Sequence, residues 1–124
     1  MAEAQAMDDA RVRAARARYG ARPGRKVLVV TDLADLHGPV NGTVELPHRL
    51  CWQPKRTFDL DKPPMRRWIY EIVLREAVRP EDLSAFLDRD TLVAIWKDLF
   101  LPRGVRRAWE EQHPVLAAAT AQAA

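Results

Sequence analysis

The sequence has very little of the residue types that build most catalytic and metal centres. It holds one cysteine, Cys51, one serine and three histidines in 124 residues. A single cysteine excludes an internal disulfide and a paired-cysteine zinc site, and the scattered histidines supply no paired spacing. The five glycines form neither a phosphate-binding loop nor a dinucleotide fingerprint. We therefore expect no cofactor and no bound metal.

Long apolar runs are also missing. No stretch approaches the roughly 20 apolar residues that cross a bilayer, and the first residues lack the apolar core of a secretion signal. Apolar residues make up 48% of the chain and charged residues 30%, which is typical of a globular protein. With its lone thiol, the sequence predicts a cytoplasmic protein that is not embedded in a membrane.

The positive charge is concentrated near the N-terminus. Residues 1–26 carry seven Lys or Arg against three Asp or Glu, whereas residues 27–62 carry four against five and residues 63–124 carry nine against nine. Ala and Arg favour a helix in residues 1–25, but that helix would be polar nearly all round. We expect a flexible or marginally helical basic arm, which either contacts phosphates or reflects compositional bias without a partner.

The first half of the chain favours strands. Residues 26–31 give the strongest strand signal because they are rich in valine. Residues 43–46 give a second signal that continues less clearly to residue 52, and glycines between the two runs indicate a loop. The predicted hairpin spans residues 26–52, and residues 53–62 are expected to form a connector.

The second half favours helices. Apolar periodicity predicts four short helices within residues 63–113. They begin near Pro63, at Pro80, after a cap at Asp88 or Asp90, and at Pro102. The Ala-rich residues 115–124 have little to dock and are expected to fray. The predicted fold class is α+β and mostly helical: a short antiparallel hairpin packs on about four helices in one globular domain, residues 26–114.

Three local patterns suggest catalysis, but each has a simpler interpretation. Asp35-Leu36-His37-Gly38 resembles the opening motif of metallophosphoesterases, yet the further ligand motifs of a two-metal site are missing, so a strand and a turn are preferred. Cys51 and His48 would point to opposite faces of a strand, which disfavours a thiol nucleophile with a base. Asp59 and Asp61 are assigned to a turn and to a helix cap.

The favoured function is a small regulator that binds nucleic acid, such as a transcription factor or an antitoxin-like protein. Four short helices joined by tight turns are similar to a helix-turn-helix arrangement. Two glutamates lie four residues after two of the arginines in the fourth helix and can neutralise them. The candidate nucleic-acid-binding residues, in the arm and in that helix, are Arg11, Arg13, Arg16, Arg18, Arg103, Arg106 and Arg107.

The alternative function is a protein-interaction module without nucleic acid. It would dock a partner protein or a second copy through the strand edge of residues 43–46, or through an exposed patch around Trp52 and Phe58. A metal-dependent, phosphoesterase-like enzyme is the least favoured hypothesis, because no set of nucleophile, base and orienting residue can be assembled.

Overall fold

The computed structural model describes residues 27–122, so the predicted basic arm lies outside the described residues. It has the predicted mostly helical α+β fold with one antiparallel sheet. No helix in residues 27–122 is long and apolar enough to cross a membrane. In chain order the elements are a 3-10 helix (Leu33–Asp35), strands β1 (Thr43–Glu45) and β2 (Thr57–Asp59), helices α1 (Pro63–Glu76), α2 (Pro80–Phe86) and α3 (Arg89–Ile95), a 3-10 turn (Trp96–Asp98), and helices α4 (Arg103–Gln112) and α5 (Pro114–Gln122).

The sheet differs from the predicted hairpin. β1 pairs with β2, with Val44 opposite Phe58, and β2 lies inside the segment that was expected to be a connector. The strand prediction for residues 26–31 is wrong over the described residues 27–31, which pair with no strand. Instead, Val30 is buried in the core and Val27 and Val29 are partly buried against it. The carbonyl oxygen of Val30 accepts a hydrogen bond from His113 Nε2 at 2.7 Å.

The four predicted helices form at the predicted positions. Pro63 and Pro80 occupy the first turns of α1 and α2, where the missing N–H is not needed. Asp88 caps α3 by accepting a hydrogen bond from the N–H of Thr91 at 3.0 Å. α4 begins directly after Pro102. Proline and aspartate therefore mark these helix starts correctly.

The prediction of a frayed C-terminal tail is wrong over the described residues 115–122. Residues 114–122 form α5, which contacts α3 and α4, rather than a frayed tail. Leu116 is fully buried, and the Thr120 hydroxyl donates to Glu110 Oε2 at 2.6 Å. Alanine has the highest helix propensity, so one buried leucine and one hydrogen-bonded threonine are enough to anchor this short helix.

Candidate functional site

The segment of residues 35–38, which resembles the opening motif of metallophosphoesterases, is hydrogen-bonded to the C-terminal end of α2. The N–H of Gly38 donates to the carbonyl of Leu87 at 2.7 Å. A Cβ atom at Gly38 would lie 2.4 Å from the backbone carbon of Phe86, so only glycine allows this close approach. Asp35 and His37 are exposed. The motif is thus explained by backbone packing.

The paired carboxylates Asp59 and Asp61 stabilise the hairpin. Asp59 Oδ1 accepts from the N–H of Asp61 at 2.9 Å, and Asp61 Oδ1 accepts from the N–H of Gly42 at 3.3 Å. The predicted cap role of Asp61 is wrong, because the N-cap position of α1 is Lys62, which makes no side-chain cap bond. Among residues 27–122, no group of three or more His, Cys, Asp or Glu is arranged to hold a metal ion.

The guanidinium of Arg106 makes its contacts inside the folded protein. Its Nη2 donates to the carbonyl oxygens of Leu99 at 2.6 Å and Trp96 at 3.3 Å. Its Nη1 lies 3.5 Å from Glu110 Oε2, and its guanidinium stands 4.9 Å from the centre of the Trp96 ring. Both Nη atoms are engaged inside the fold, so Arg106 contributes to the packing of α4.

Glu110 is the acceptor at the centre of this cluster. Its Oε2 accepts from the indole N–H of Trp96 at 2.9 Å and from the Thr120 hydroxyl at 2.6 Å. Burial raises the pKa of Glu110, but the hydrogen bonds from Thr120 and Trp96 and the charge of Arg106 outweigh burial, so the pKa lies below its usual value. A single carboxylate thereby connects the 3-10 turn Trp96–Asp98, α4 and α5.

The other predicted cations are placed differently. Arg103 and Arg107 are exposed on α4. Within residues 27–122 neither forms an ion pair, and Glu111 does not neutralise Arg107. The four predicted arm arginines lie outside the described residues, and they are Arg11, Arg13, Arg16 and Arg18.

Trp52 is 77% exposed, second only to Phe100 at 80% among the large apolar side chains of residues 27–122. It stands beside an open groove of about 510 Å³ between the loop after β1 and helix α1. Of the two residues in the predicted exposed patch, only Trp52 is exposed. Phe58 is buried and packs edge-on against Trp68, with ring centres 5.1 Å apart. The groove is lined by Leu50, Cys51, Trp52, Gln53, Trp68, Ile72, Arg75 and Glu76.

A turn that begins at Pro47 presents Trp52 to solvent. The N–H groups of Leu50 and Cys51 both donate to the carbonyl of Pro47, at 2.9 and 3.1 Å. Leu50 and Cys51 are buried, so the chain is anchored immediately before Trp52, whose ring lies 5.7 Å from that of His48. The sequence pattern suggested a longer strand here, and the turn-forming effect of Pro47 is the signal that corrects it.

The groove has the chemistry of a binding surface. Its only nucleophile is Cys51, which is buried, whereas His48 is exposed and makes no hydrogen bond to it within the described part of the chain. The groove walls combine apolar side chains with Gln53, Arg75 and Glu76, and Arg75 is the only cation among them. No protein-family model, curated protein or solved structure matches this chain, which leaves the geometry of the site as the guide to its function.

Proposed function

We propose that this chain is a non-catalytic protein-interaction module that binds a partner protein through the groove beside Trp52. The exposure of Trp52, at 77%, carries the proposal. A tryptophan buries about 150–250 Å² when it is covered, and tryptophan is enriched among the residues that dominate binding energy. An exposed indole beside a groove of mixed apolar and polar walls is typical of a docking site.

The wall of the groove supports this function because it is firmly packed. Trp68 contacts the buried ring of Phe58, and Ile72 belongs to the core face of α1. A wall of this kind needs little reordering when a ligand binds, and a preformed site saves the entropy of ordering side chains. An apolar side chain of a partner could pack against this preformed wall.

The test is capture of proteins from an extract of the source cells on immobilised full-length chain, at low and moderate salt. We expect one protein to be retained at both salt concentrations, because apolar contacts are not screened by ions. Trp52→Ser should lose that protein. Val40→Ser is the matched control, since Val40 is 53% exposed and does not line the groove. Retention of the same protein by Trp52→Ser would contradict the proposal.

A second candidate function is nucleic-acid binding, which the distribution of charge favours. Residues 1–26 carry a net charge of +4, whereas residues 27–124 carry −1. Arg103 and Arg107 add two exposed cations on α4. Lysine and arginine that neutralise phosphates supply most of non-specific affinity. The arm would therefore provide most of the attraction.

This second function is tested by fluorescence anisotropy with a labelled random-sequence duplex. Full-length chain is compared with two variants, one in which Arg11, Arg13, Arg16 and Arg18 become Gln and one in which Arg103 and Arg107 become Gln. We expect the arm variant to bind more weakly and its salt slope to fall by about 0.9 for each lost phosphate contact. No binding by the full-length chain at low salt would refute nucleic-acid binding.

A further inference from the structure

We infer that the ion pair between Arg49 and Asp82 holds the two walls of the groove beside Trp52 together, which makes Arg49 a positioning residue for docking. The inference rests on the proposed protein-interaction function and deepens it. Loss of the Arg49 guanidinium releases the turn that carries Trp52, while the helices stay folded.

The first wall of the groove is the turn after β1. Residues 50–53 of this turn line the groove. Arg49 directly precedes them, and its Nη2 lies 2.6 Å from Asp82 Oδ1 in α2. The ion pair therefore joins the turn to α2 one residue before the wall begins.

The second wall is α1, and its C-terminal end is bound to the same carboxylate. Arg75 and Glu76 line the groove at the end of this helix. In the loop that follows, the N–H groups of Val78 and Arg79 donate to Asp82 Oδ2 at 3.1 and 3.2 Å. An acidic residue in the first turn of a helix commonly accepts such N–H groups, so these bonds fix the start of α2 against the end of α1.

Asp82 is thus the point at which both walls meet. Its side chain is fully buried, with Oδ2 bound to the loop after α1 and Oδ1 facing the guanidinium of Arg49. A buried carboxylate without a cation is costly, so this carboxylate retains its arginine strongly. The position of the turn relative to α1, and with it the shape of the groove, depends on that pair.

The exposure of Arg49 makes the effect of losing it local. The Arg49 side chain is 41% exposed, so water can enter the space that its guanidinium vacates and screen Asp82. Neither α4 nor α5 lines the groove. Opening of one surface turn costs less than unfolding the whole protein, so the turn can separate from α2 while the remaining helices keep their hydrogen bonds.

Amide hydrogen exchange of the full-length chain, measured by NMR, tests the release of the turn. The N–H groups of Leu50 and Cys51, which donate to the carbonyl of Pro47, report the turn. The N–H of His113, hydrogen-bonded at the end of α4, reports the rest of the fold. We expect Arg49→Met to accelerate exchange in the turn about tenfold and to leave exchange at His113 unchanged.

Two variants and a thiol probe sharpen this test. Arg49→Lys keeps the positive charge without the planar fork, so its exchange should stay within about threefold of the parent chain. Arg89→Met is the control and should change nothing, because Arg89 is exposed and its ion pair is with the adjacent Asp90 at 3.6 Å. Cys51 is buried and is the one cysteine of the chain, so its modification by a disulfide reagent should accelerate about tenfold in Arg49→Met and little in Arg49→Lys.

The effect on docking is measured with the protein that the parent chain captures and Trp52→Ser loses. That protein is purified and titrated against each variant. Its Kd should rise about tenfold for Arg49→Met and less than about threefold for Arg49→Lys, because the charge that holds the turn is lost only in the first.

The outcomes separate the two proposals. Unchanged exchange in the turn, or equal acceleration at His113, would overturn the inference and leave the proposed function standing. An unchanged Kd for Arg49→Met despite faster exchange in the turn would overturn the positioning role in the same way. Absence of any Trp52-dependent protein would overturn the proposed function and the positioning role together.

Discussion

Arg106 and Arg107 are adjacent arginines on α4 that the structure places in opposite environments, so replacing each by methionine separates packing from surface charge. Methionine keeps the apolar stem and removes the guanidinium. In Arg106→Met the carbonyl oxygens of Leu99 and Trp96 lose their donors, and Glu110 loses its ion pair. Arg107 is exposed and forms no ion pair within the described residues.

The expected effect follows from these contacts. A hydrogen bond to a charged group contributes about 1.5–3 kcal/mol, and contacts that share one guanidinium are not additive. The side chain of Arg106 is 23% exposed, so water replaces part of what is lost. We therefore expect Arg106→Met to lower the free energy of unfolding by about 2–4 kcal/mol. Arg107→Met should change it by less than about 0.5 kcal/mol.

Urea unfolding of the full chain, followed by tryptophan fluorescence, measures both variants. Slopes of about 1–2 kcal/mol/M convert the expected loss in Arg106→Met into a midpoint lower by about 1–4 M. The buried Trp96 and Trp109 supply the signal. Equal midpoints for Arg106→Met and Arg107→Met would refute the internal role of Arg106, and Arg106 would then return to the candidate nucleic-acid contacts.

Three further predictions use the same unfolding assay. Trp96→Phe should cost about 1–3 kcal/mol more than Trp109→Phe, because both side chains are fully buried but only the Trp96 N–H has a hydrogen-bond partner within residues 27–122; equal costs would contradict this. Gly38→Ala should cost about 3 kcal/mol through its clash with the α2 backbone, whereas Gly42→Ala, at φ +78° in open space, should cost about 1–2 kcal/mol, and the reverse order would refute the packing role. Burial raises the pKa of Asp82, but Arg49 and two backbone N–H groups outweigh burial and lower it, so the folded protein should lose stability as the pH falls below about 4, and Asp82→Asn should reduce that loss.

The helices were predictable because their signals are local. Pro63, Pro80 and Pro102 fix helix starts through φ and the missing N–H, and Asp88 accepts a backbone N–H. Each of these effects acts within one turn of chain. They do not depend on which other part of the protein is nearby, so the sequence is sufficient to read them.

The strands and the last helix depended on partners that the sequence does not identify. The valine-rich run before Thr31 signals burial correctly, since Val30 is buried, but a strand also needs a second strand to bond with. β2 is three residues long and gives almost no periodic signal. α5 becomes stable by packing Leu116 against α3 and α4, a contact between distant segments.

The sequence predicted only part of the candidate site, for the same reason. Trp52 and Phe58 are both aromatic residues near charged ones, and composition cannot tell which ring becomes exposed. The answer comes from the hairpin, which turns Phe58 inward onto Trp68. The exposure of Phe100 has no local sequence signal, and its N–H bonds to Glu71 of α1, which is distant in sequence.

Charge and apolar exposure lie in different parts of this protein, and that separation constrains its function. The positive surplus belongs to residues 1–26, while the groove beside Trp52 lies on a body whose charges nearly cancel. Phosphate binding is set by the number of cations and weakens with salt, whereas docking at Trp52 depends on apolar area. The two functions therefore need not compete for residues. A chain that carried both would attach to nucleic acid through its arm and present the groove beside Trp52 to a protein partner.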